Sequence, residues 1–90
     1  MRVRTHPGEV LRQEFMEPHG LSARALAAEI GVPANRISDL VRGVRSLTAE
    51  TAILLGERFG TDPRFWLNLQ TNYDLSVAMQ SRQKSKSSIV

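Results

Sequence analysis

The chain has 90 residues and contains no cysteine. This absence excludes disulfides, thiolate zinc sites and cysteine nucleophiles, and it fits the reducing cytoplasm that we expect as the location. The two histidines, His6 and His19, lack a second histidine or an acid at ligand spacing, so we predict no metal site. No apolar run approaches the roughly 20 residues of a membrane span, and no hydrophobic segment follows residues 1–6. We therefore expect neither a membrane span nor a secretory signal.

Lysine is also scarce, because the only two, Lys84 and Lys86, lie close to the C-terminus and all other basic residues are arginine. The formal net charge is +3. The forked donors of arginine match phosphate oxygens and guanine edges, so this composition favours a nucleic-acid partner. An arginine bias of the whole genome would give the same composition, and the charge alone does not decide between the two interpretations.

The features of a catalytic site are missing as well. The sequence has no glycine-rich phosphate loop, no paired carboxylates suited to acid–base work and no nucleophile beside a base. We therefore predict that the protein is not an enzyme and uses no cofactor and no small-molecule substrate. The length allows one compact domain of marginal stability, which the burial of further surface in a dimer would increase.

Apolar residues recur with helical spacing, and no segment alternates with the period of two that marks a strand. The predicted fold class is therefore all-α. We predict an arm over residues 1–6 and one domain over residues 7–80, which ends in a dimerisation helix. A tail rich in serine, lysine and glutamine follows over residues 81–90, and we predict that it is disordered.

Capping residues divide the domain into five predicted helices. Ser22 and Thr48 are suited to N-caps, Gly31 is suited to a left-handed C-terminal cap, and Gly60 is expected to end the fourth helix. His6 is expected in the turn that leads into the first helix. The helices are predicted over residues 7–17, 23–30, 34–41, 49–59 and 63–79.

The second and third predicted helices are joined by a very short turn. Ala27 is small where the third helix has to cross, and Gly31 supplies the positive φ of the turn. Ile37 and Leu40 would wedge the third helix against the second. This pattern is typical of helix-turn-helix DNA-binding domains. An αα-corner that does not bind DNA has the same pattern, so a protein-interaction module remains an alternative.

The outward face of the third helix and the loop after it carry side chains that can bond DNA. Asn35 could contact adenine through two hydrogen bonds, and Arg36 could reach a phosphate or a guanine. Asp39 has two interpretations, since it could accept a hydrogen bond from cytosine N4 or only orient Arg36 or Arg42. The predicted DNA-binding residues, including three arginines as phosphate contacts, are Ala34, Asn35, Arg36, Ser38, Asp39, Arg42, Arg45 and Arg24.

The fifth helix carries more apolar residues than one small domain can bury, which predicts a homodimer along it. A symmetric seam there would set the spacing of two recognition helices near one turn of DNA. Trp66 is nevertheless expected to be mostly buried, and several of its neighbours could be core residues too. The predicted dimerisation residues are Phe65, Trp66, Leu69, Tyr73 and Val77.

Several short blocks occur in the order and spacing of a known family. The most specific are HPGE at residues 6–9 and FWLNLQ at residues 65–70. The others are GVP at residues 31–33, VRG at 41–43, LTAETA at 47–52, FGTDP at 59–63 and YDL at 73–75. In these blocks the chain resembles the HigA family of antitoxins, a branch of the repressor-like (Xre) helix-turn-helix group, over about residues 6–77.

The resemblance implies a five-helix, lambda-repressor-like (Xre) fold that binds double-stranded operator DNA as a homodimer. One recognition helix per subunit would enter each of two successive major grooves, and binding would repress the protein's own operon. The resemblance also implies a partner protein, a HigB-like toxin that cleaves mRNA on the ribosome and is neutralised by the antitoxin. A solitary repressor without a toxin would share this domain and remains an alternative.

The surface that would contact a toxin is predicted only from its position relative to the recognition helix. We expect the arm and the outer face of the first helix to lie away from the recognition helix. One protein could then bind the toxin on this surface while its recognition helix binds the operator. The toxin-binding residues under this hypothesis are Arg2, Arg4, Arg12 and Gln13.

Overall fold

The computed structural model describes the backbone of residues 4–89 and the side chains of residues 4–83. Over these residues the structure contains helices and no strands, which confirms the all-α class. Helix α1 is a composite of an α-helical turn (Pro7–Val10), a π-helical stretch (Leu11–Met16) and a 3-10 turn (Glu17–His19). The others are α2 (Ala23–Ile30), α3 (Ala34–Val41), α4 (Ala49–Phe59) and α5 (Pro63–Ile89). No helix in the described part of the chain is both long and apolar enough to cross a membrane.

Helix α1 differs from the single α-helix that the sequence predicts. Leu11 and Met16 are both buried, although residues five apart in an α-helix point about 140° away from each other. In the wider π turn the N–H of Glu17 donates to the C=O of Arg12, and both apolar side chains reach the core side. Pro18 has no N–H with which to continue the ladder, and the helix ends within that turn.

The caps of α2 and α4 lie where the sequence places them. The Ser22 hydroxyl accepts a hydrogen bond from the N–H of Ala25 (3.0 Å), and the Thr48 hydroxyl accepts one from the N–H of Thr51 (3.4 Å). Gly31, which ends α2, has a φ of 76°, a value that residues with side chains rarely adopt. Because these signals are local, the bounds of α2, α3 and α4 agree with the prediction residue for residue.

The core lies between the first four helices and the first half of α5. Trp66 is 0% exposed, its ring centroid lies 5.1 Å from that of Phe15, and its indole N–H donates to Thr61 Oγ1 at 2.7 Å. The expected burial of Trp66 is confirmed, whereas its place among the dimerisation residues is wrong. A side chain without exposed surface has none to offer a partner subunit. The buried apolar residues are Leu11, Met16, Leu26, Ala27, Ile37, Leu40, Leu47, Ala52, Leu55 and Trp66.

Helix α5 is longer than predicted. Its backbone is helical as far as Ile89, whereas the prediction ended the helix at Met79 and placed a disordered tail over residues 81–90. The physical reason for the difference is that neither proline nor glycine follows Pro63 to interrupt the helix. Over residues 81–89 the structure therefore differs from the predicted tail. Val90 and residues 1–3 of the predicted arm lie outside the described residues.

Gly8 lets α1 lie directly against the end of α3. A Cβ atom at this position would lie 1.7 Å from the C=O oxygen of Leu40, far inside van der Waals contact. Just before it, Nδ1 of His6 accepts a hydrogen bond from the N–H of Gly8 (2.9 Å), and Pro7 is buried. The HPGE block thus caps α1, starts it and brings it into contact with α3.

Gly8→Ala should lower the free energy of unfolding by about 3 kcal/mol, the upper range for overpacking a rigid contact. The measurement is urea-induced unfolding followed by circular dichroism. Gly20→Ala is the matched control, because Gly20 has a φ of 64° and an added Cβ meets open space among the described residues. That change costs only backbone strain, about 1 kcal/mol. A loss for Gly8→Ala no larger than for Gly20→Ala would contradict the steric role of Gly8.

Candidate nucleic-acid interface

Helix α3 presents one face to the core and the opposite face to solvent. Ile37 and Leu40 belong to the same buried cluster as Leu26 and Ala27, and α2 packs against α3. On the other side lie the residues predicted to read DNA, two of them exposed and three partly exposed: Ala34, Asn35, Arg36, Ser38 and Asp39. Because none of these side chains is buried within the described structure, the face is open to a groove of nucleic acid.

A tight turn after α3 places the following loop beside the same face. Gly43 has a φ of 76°, and the N–H of Val44 donates to the C=O of Asp39 at 3.1 Å. This is the bonding of a Schellman C-cap, which ends the helix sharply. As a result Arg42 and Arg45, which lie on either side of the turn, both come close to Asp39.

Asp39 is ion-paired with both of these arginines. Its Oδ1 lies 3.3 Å from Nη1 of Arg42, and its Oδ2 lies 3.8 Å from Nη2 of Arg45. Of the two interpretations of Asp39, the structure contains the orienting contact with Arg42 and adds one with Arg45 that the sequence did not predict. The two guanidinium groups and one carboxylate sum to a formal charge of +1 at the edge of the face.

Gln70 fixes the far end of this loop from α5. Its Oε1 accepts a hydrogen bond from the N–H of Leu47 (2.7 Å), and its Nε2 donates to Oδ1 of Asp74 (2.8 Å). Gln70 and Leu47 are both buried, and a buried amide that is bonded at both ends holds its partners firmly in place. Sequence reasoning missed this role, and the available sign was a polar residue at the end of the mainly apolar FWLNLQ block.

His6 lies where the arm, α1, the loop and α5 meet. Its Nδ1 caps the N–H of Gly8, which confirms its expected place in the turn that leads into α1. Its ring packs edge-on against Tyr73, with centroids 4.8 Å apart and an interplanar angle of 74°. Burial lowers the pKa of His6 below its usual value, and a hydrogen bond with the backbone of Arg45 and the charge of Asp74 partly offset this effect.

Three further residues lie around the face. Arg24 is exposed in the first turn of α2. The Ser38 hydroxyl donates to the C=O of Asn35 at 3.4 Å, so it already has a partner within its own helix. Val44 is an exposed apolar residue in the loop between Arg42 and Arg45. In the described part of the chain, no group of three or more histidines and acids could hold a metal ion.

The residues of the toxin hypothesis lie on the arm and α1, except that Arg2 lies outside the described residues. The N–H of Arg4 donates to Oγ of Ser76 at 3.0 Å, and this bond ties the arm to α5. The structure therefore places Arg4 against the helix that the sequence assigns to the dimer.

The other two residues of the toxin hypothesis take part in polar contacts along α1. Arg12 is ion-paired with Glu17 and, at 3.8 Å, with Glu9. Gln13 donates from Nε2 to Oε1 of Glu9 at 3.2 Å. A partner that binds this side of α1 would meet paired rather than bare charges.

Helix α5 leaves apolar side chains exposed outside the core. Leu69 and Tyr73 are only partly exposed, so they offer a partner less surface than the prediction assumed. Two of the most exposed residues were predicted and two, Leu75 and Met79, were not. The apolar side chains of α5 that are 39–55% exposed are Phe65, Leu75, Val77 and Met79.

Comparison with known proteins places this geometry in a family. A helix-turn-helix family model matches residues 13–66. The chain is 51% identical over 78 residues to virulence-associated protein I of Dichelobacter nodosus, a match that covers 87% of this chain and 72% of that protein. It is 47% identical over 68 residues to antitoxin HigA-1 of Vibrio cholerae, a match that covers 76% of this chain and 64% of that protein.

A solved structure shows the same fold over almost the whole chain. The Pseudomonas aeruginosa antitoxin HigA with the higBA promoter matches with a TM-score of 0.86 and 40% identity, covering 96% of this chain and 94% of that chain. The matched fold and the open polar face of α3 define a repressor-like helix-turn-helix protein. Within that class, the chain belongs to the HigA family of antitoxins.

The lowered pKa of His6 makes stability depend on pH. The folded state binds this proton more weakly than the unfolded chain, so the contribution of His6 is fully present above about pH 6.5 and is lost as the pH falls through the lower, folded-state pKa. We expect the urea midpoint to fall between about pH 7.5 and about pH 5.5. His6→Asn, which keeps a capping acceptor but does not titrate, should flatten this dependence. Equal slopes in the wild type and His6→Asn would disprove the assignment.

Proposed function

We propose that this protein is an antitoxin that binds operator DNA as a homodimer, represses its own operon and neutralises a HigB-like, mRNA-cleaving toxin. The polar face of α3 carries the proposal, because it is open and lies beside two arginines in a family member of this fold. On this proposal the protein acts by binding rather than by catalysis, and it works in the cytoplasm, where operator DNA is found.

The chemistry of the face supports direct reading of bases. Asn35 and Arg36 lie in the first turn of α3, the part of a recognition helix that comes closest to base edges in the major groove. Arg42 and Arg45 follow at the other end, where they can bond phosphates and fix the register. Arg24, on the preceding helix, extends the basic edge of this surface.

A homodimer through α5 would complete the operator-binding unit. The exposed apolar side chains of α5 require a cover that the described subunit does not supply, and a second copy with the same face would supply it. Two copies of α3 about 34 Å apart would then reach successive major grooves on one side of a duplex.

The toxin would bind away from α3, so that toxin and operator can be held together. Arg4 is bonded to Ser76 on α5, but His6 at the end of the arm is bonded to the backbone of Arg45, so this end of the arm lies beside the loop after α3 and not away from it as expected. Arg12 and Gln13 on α1 remain our candidates for the same surface. Co-purification with the product of the adjacent gene tests the toxin half of the proposal, and a solitary repressor would bring no such partner.

Asn35→Ala and Arg36→Ala should each weaken binding to the duplex upstream of the protein's own gene by about 1–3 kcal/mol, because each removes a contact with a base edge or phosphate. Fluorescence anisotropy at fixed salt concentration measures the effect, and both variants should still bind the toxin. Arg64→Ala, which removes the same charge from an exposed position at the start of α5, is the control and should change little.

Two results would contradict the prediction that the outward face of α3, called the reading face below (Ala34, Asn35, Arg36, Ser38 and Asp39), contacts the bases. Unchanged affinity in both variants would show that another surface contacts the bases. If the wild-type protein binds no duplex even at low salt, where phosphate contacts are strongest, the result would favour the protein-interaction module instead.

Leu75→Glu combined with Met79→Glu should convert the homodimer into a monomer, because a charge would replace apolar surface in the seam. Sedimentation equilibrium measures the molecular mass, which should fall by half. The control is Ile53→Glu on α4, where the side chain is also half exposed. A dimer that survives the double change but not the control change would place the seam on α4.

A further inference from the structure

We propose that Asp39 is a specificity-determining residue, which pairs with Arg42 and Arg45 and so weakens binding to DNA that does not offer it a hydrogen-bond donor. The proposal rests on operator binding through α3. It assigns to Asp39 a role opposite to that of the arginines around it, since its carboxylate opposes the general attraction between the face and phosphate.

The position of the carboxylate supports this role. The Asp39 side chain is 27% exposed, whereas those of Arg42 and Arg45 are 68% and 42% exposed. The carboxylate therefore lies deeper than the two guanidinium groups that it bridges. Each of its oxygens faces a different arginine, so one acid restrains both.

The backbone around the cluster keeps the three side chains within reach of each other. The N–H of Val44 donates to the C=O of Asp39, and the N–H of Arg42 donates to the C=O of Ser38. At the far end the loop is held by the bond between Leu47 and the buried Gln70. Because both ends of the loop are fixed, the contact between Asp39 and Arg45 follows from the fold.

The ion pairs themselves contribute little to folding, since partly exposed pairs are typically worth less than about 1 kcal/mol. Their effect is on DNA binding. Each arginine that approaches a phosphate must share its donors with Asp39, and the carboxylate is repelled by the same phosphate. This opposing effect applies to a duplex of any sequence.

A suitable base can offset the effect. Cytosine presents its N4 amino group in the major groove, and a carboxylate can accept a hydrogen bond from it. An operator with cytosine at that place therefore satisfies Asp39, while most other sequences leave it unsatisfied beside phosphates. The carboxylate thus lowers affinity for general DNA more than affinity for the operator, and the ratio of the two rises.

The test compares wild type with Asp39→Asn on two probes: the duplex upstream of the protein's own gene and a scrambled duplex of the same composition. We expect Asp39→Asn to bind the scrambled duplex about tenfold more tightly, because a repelled charge is removed and two arginines are released. Its affinity should also fall more steeply with salt, by about one to two in the log–log slope. Affinity for the upstream duplex should rise less or fall.

Glu29→Gln is the matched control. Glu29 is also ion-paired with an arginine, Arg58 at 2.7 Å, but it lies beside the groove between α2 and α4. This change removes the same charge and releases one arginine away from α3, so binding to the scrambled duplex should stay as in the wild type. An equal gain for both variants would show that net charge alone is responsible and would overturn the proposal.

A second comparison tests the pairing itself. In the double variant Arg42→Gln/Arg45→Gln, the further change Asp39→Asn should bring a much smaller gain on the scrambled duplex. A gain of undiminished size would overturn the pairing with the arginines. If wild type binds neither duplex, operator binding itself fails, whereas normal operator binding with no gain in Asp39→Asn overturns only the role of Asp39.

Discussion

The packing of α3 against α2 and α1 is the contact on which the rest of the structure depends. Ile37 and Leu40 enter the core, and the backbone at Leu40 meets Gly8 so closely that no side chain fits between them. A helix of eight residues is too short to be stable alone, so this packing both forms α3 and fixes its rotation. The rotation decides which side chains face outward, and therefore whether Asn35 can reach a base edge.

Helix α5 connects the other parts of the molecule along one of its sides. Trp66 packs in the core, and Gln70 bonds the loop after α3. Tyr73 packs on His6, and Ser76 bonds Arg4 in the arm. Since their spacing of three to four residues keeps them on one side, Leu75 and Met79 on the opposite side of α5 remain exposed. The helix that would form the seam therefore also positions the arginines beside α3.

The sequence predicted most of the features that are decided locally and missed several that depend on tertiary contacts. Ser22 and Gly31 act on their immediate neighbours, so the bounds of α2 followed from the sequence. The π turn of α1 arises because Met16 is drawn into the core, which no local signal encodes. The bond from Leu47 to Gln70 joins residues 23 positions apart, and it becomes visible only once α5 lies beside the loop.

The modest charge of the reading face suits a protein that has to distinguish one site from many. Attraction between arginines and phosphates is nearly independent of sequence, so more positive charge would strengthen operator and non-operator binding alike. A carboxylate beside Arg42 and Arg45 would reduce this common attraction and leave discrimination to contacts with base edges. In a homodimer every such preference occurs twice on one operator, so the free-energy difference between right and wrong sites doubles. The seam on α5 and the acid on α3 would thus act in the same direction, towards selectivity rather than raw affinity.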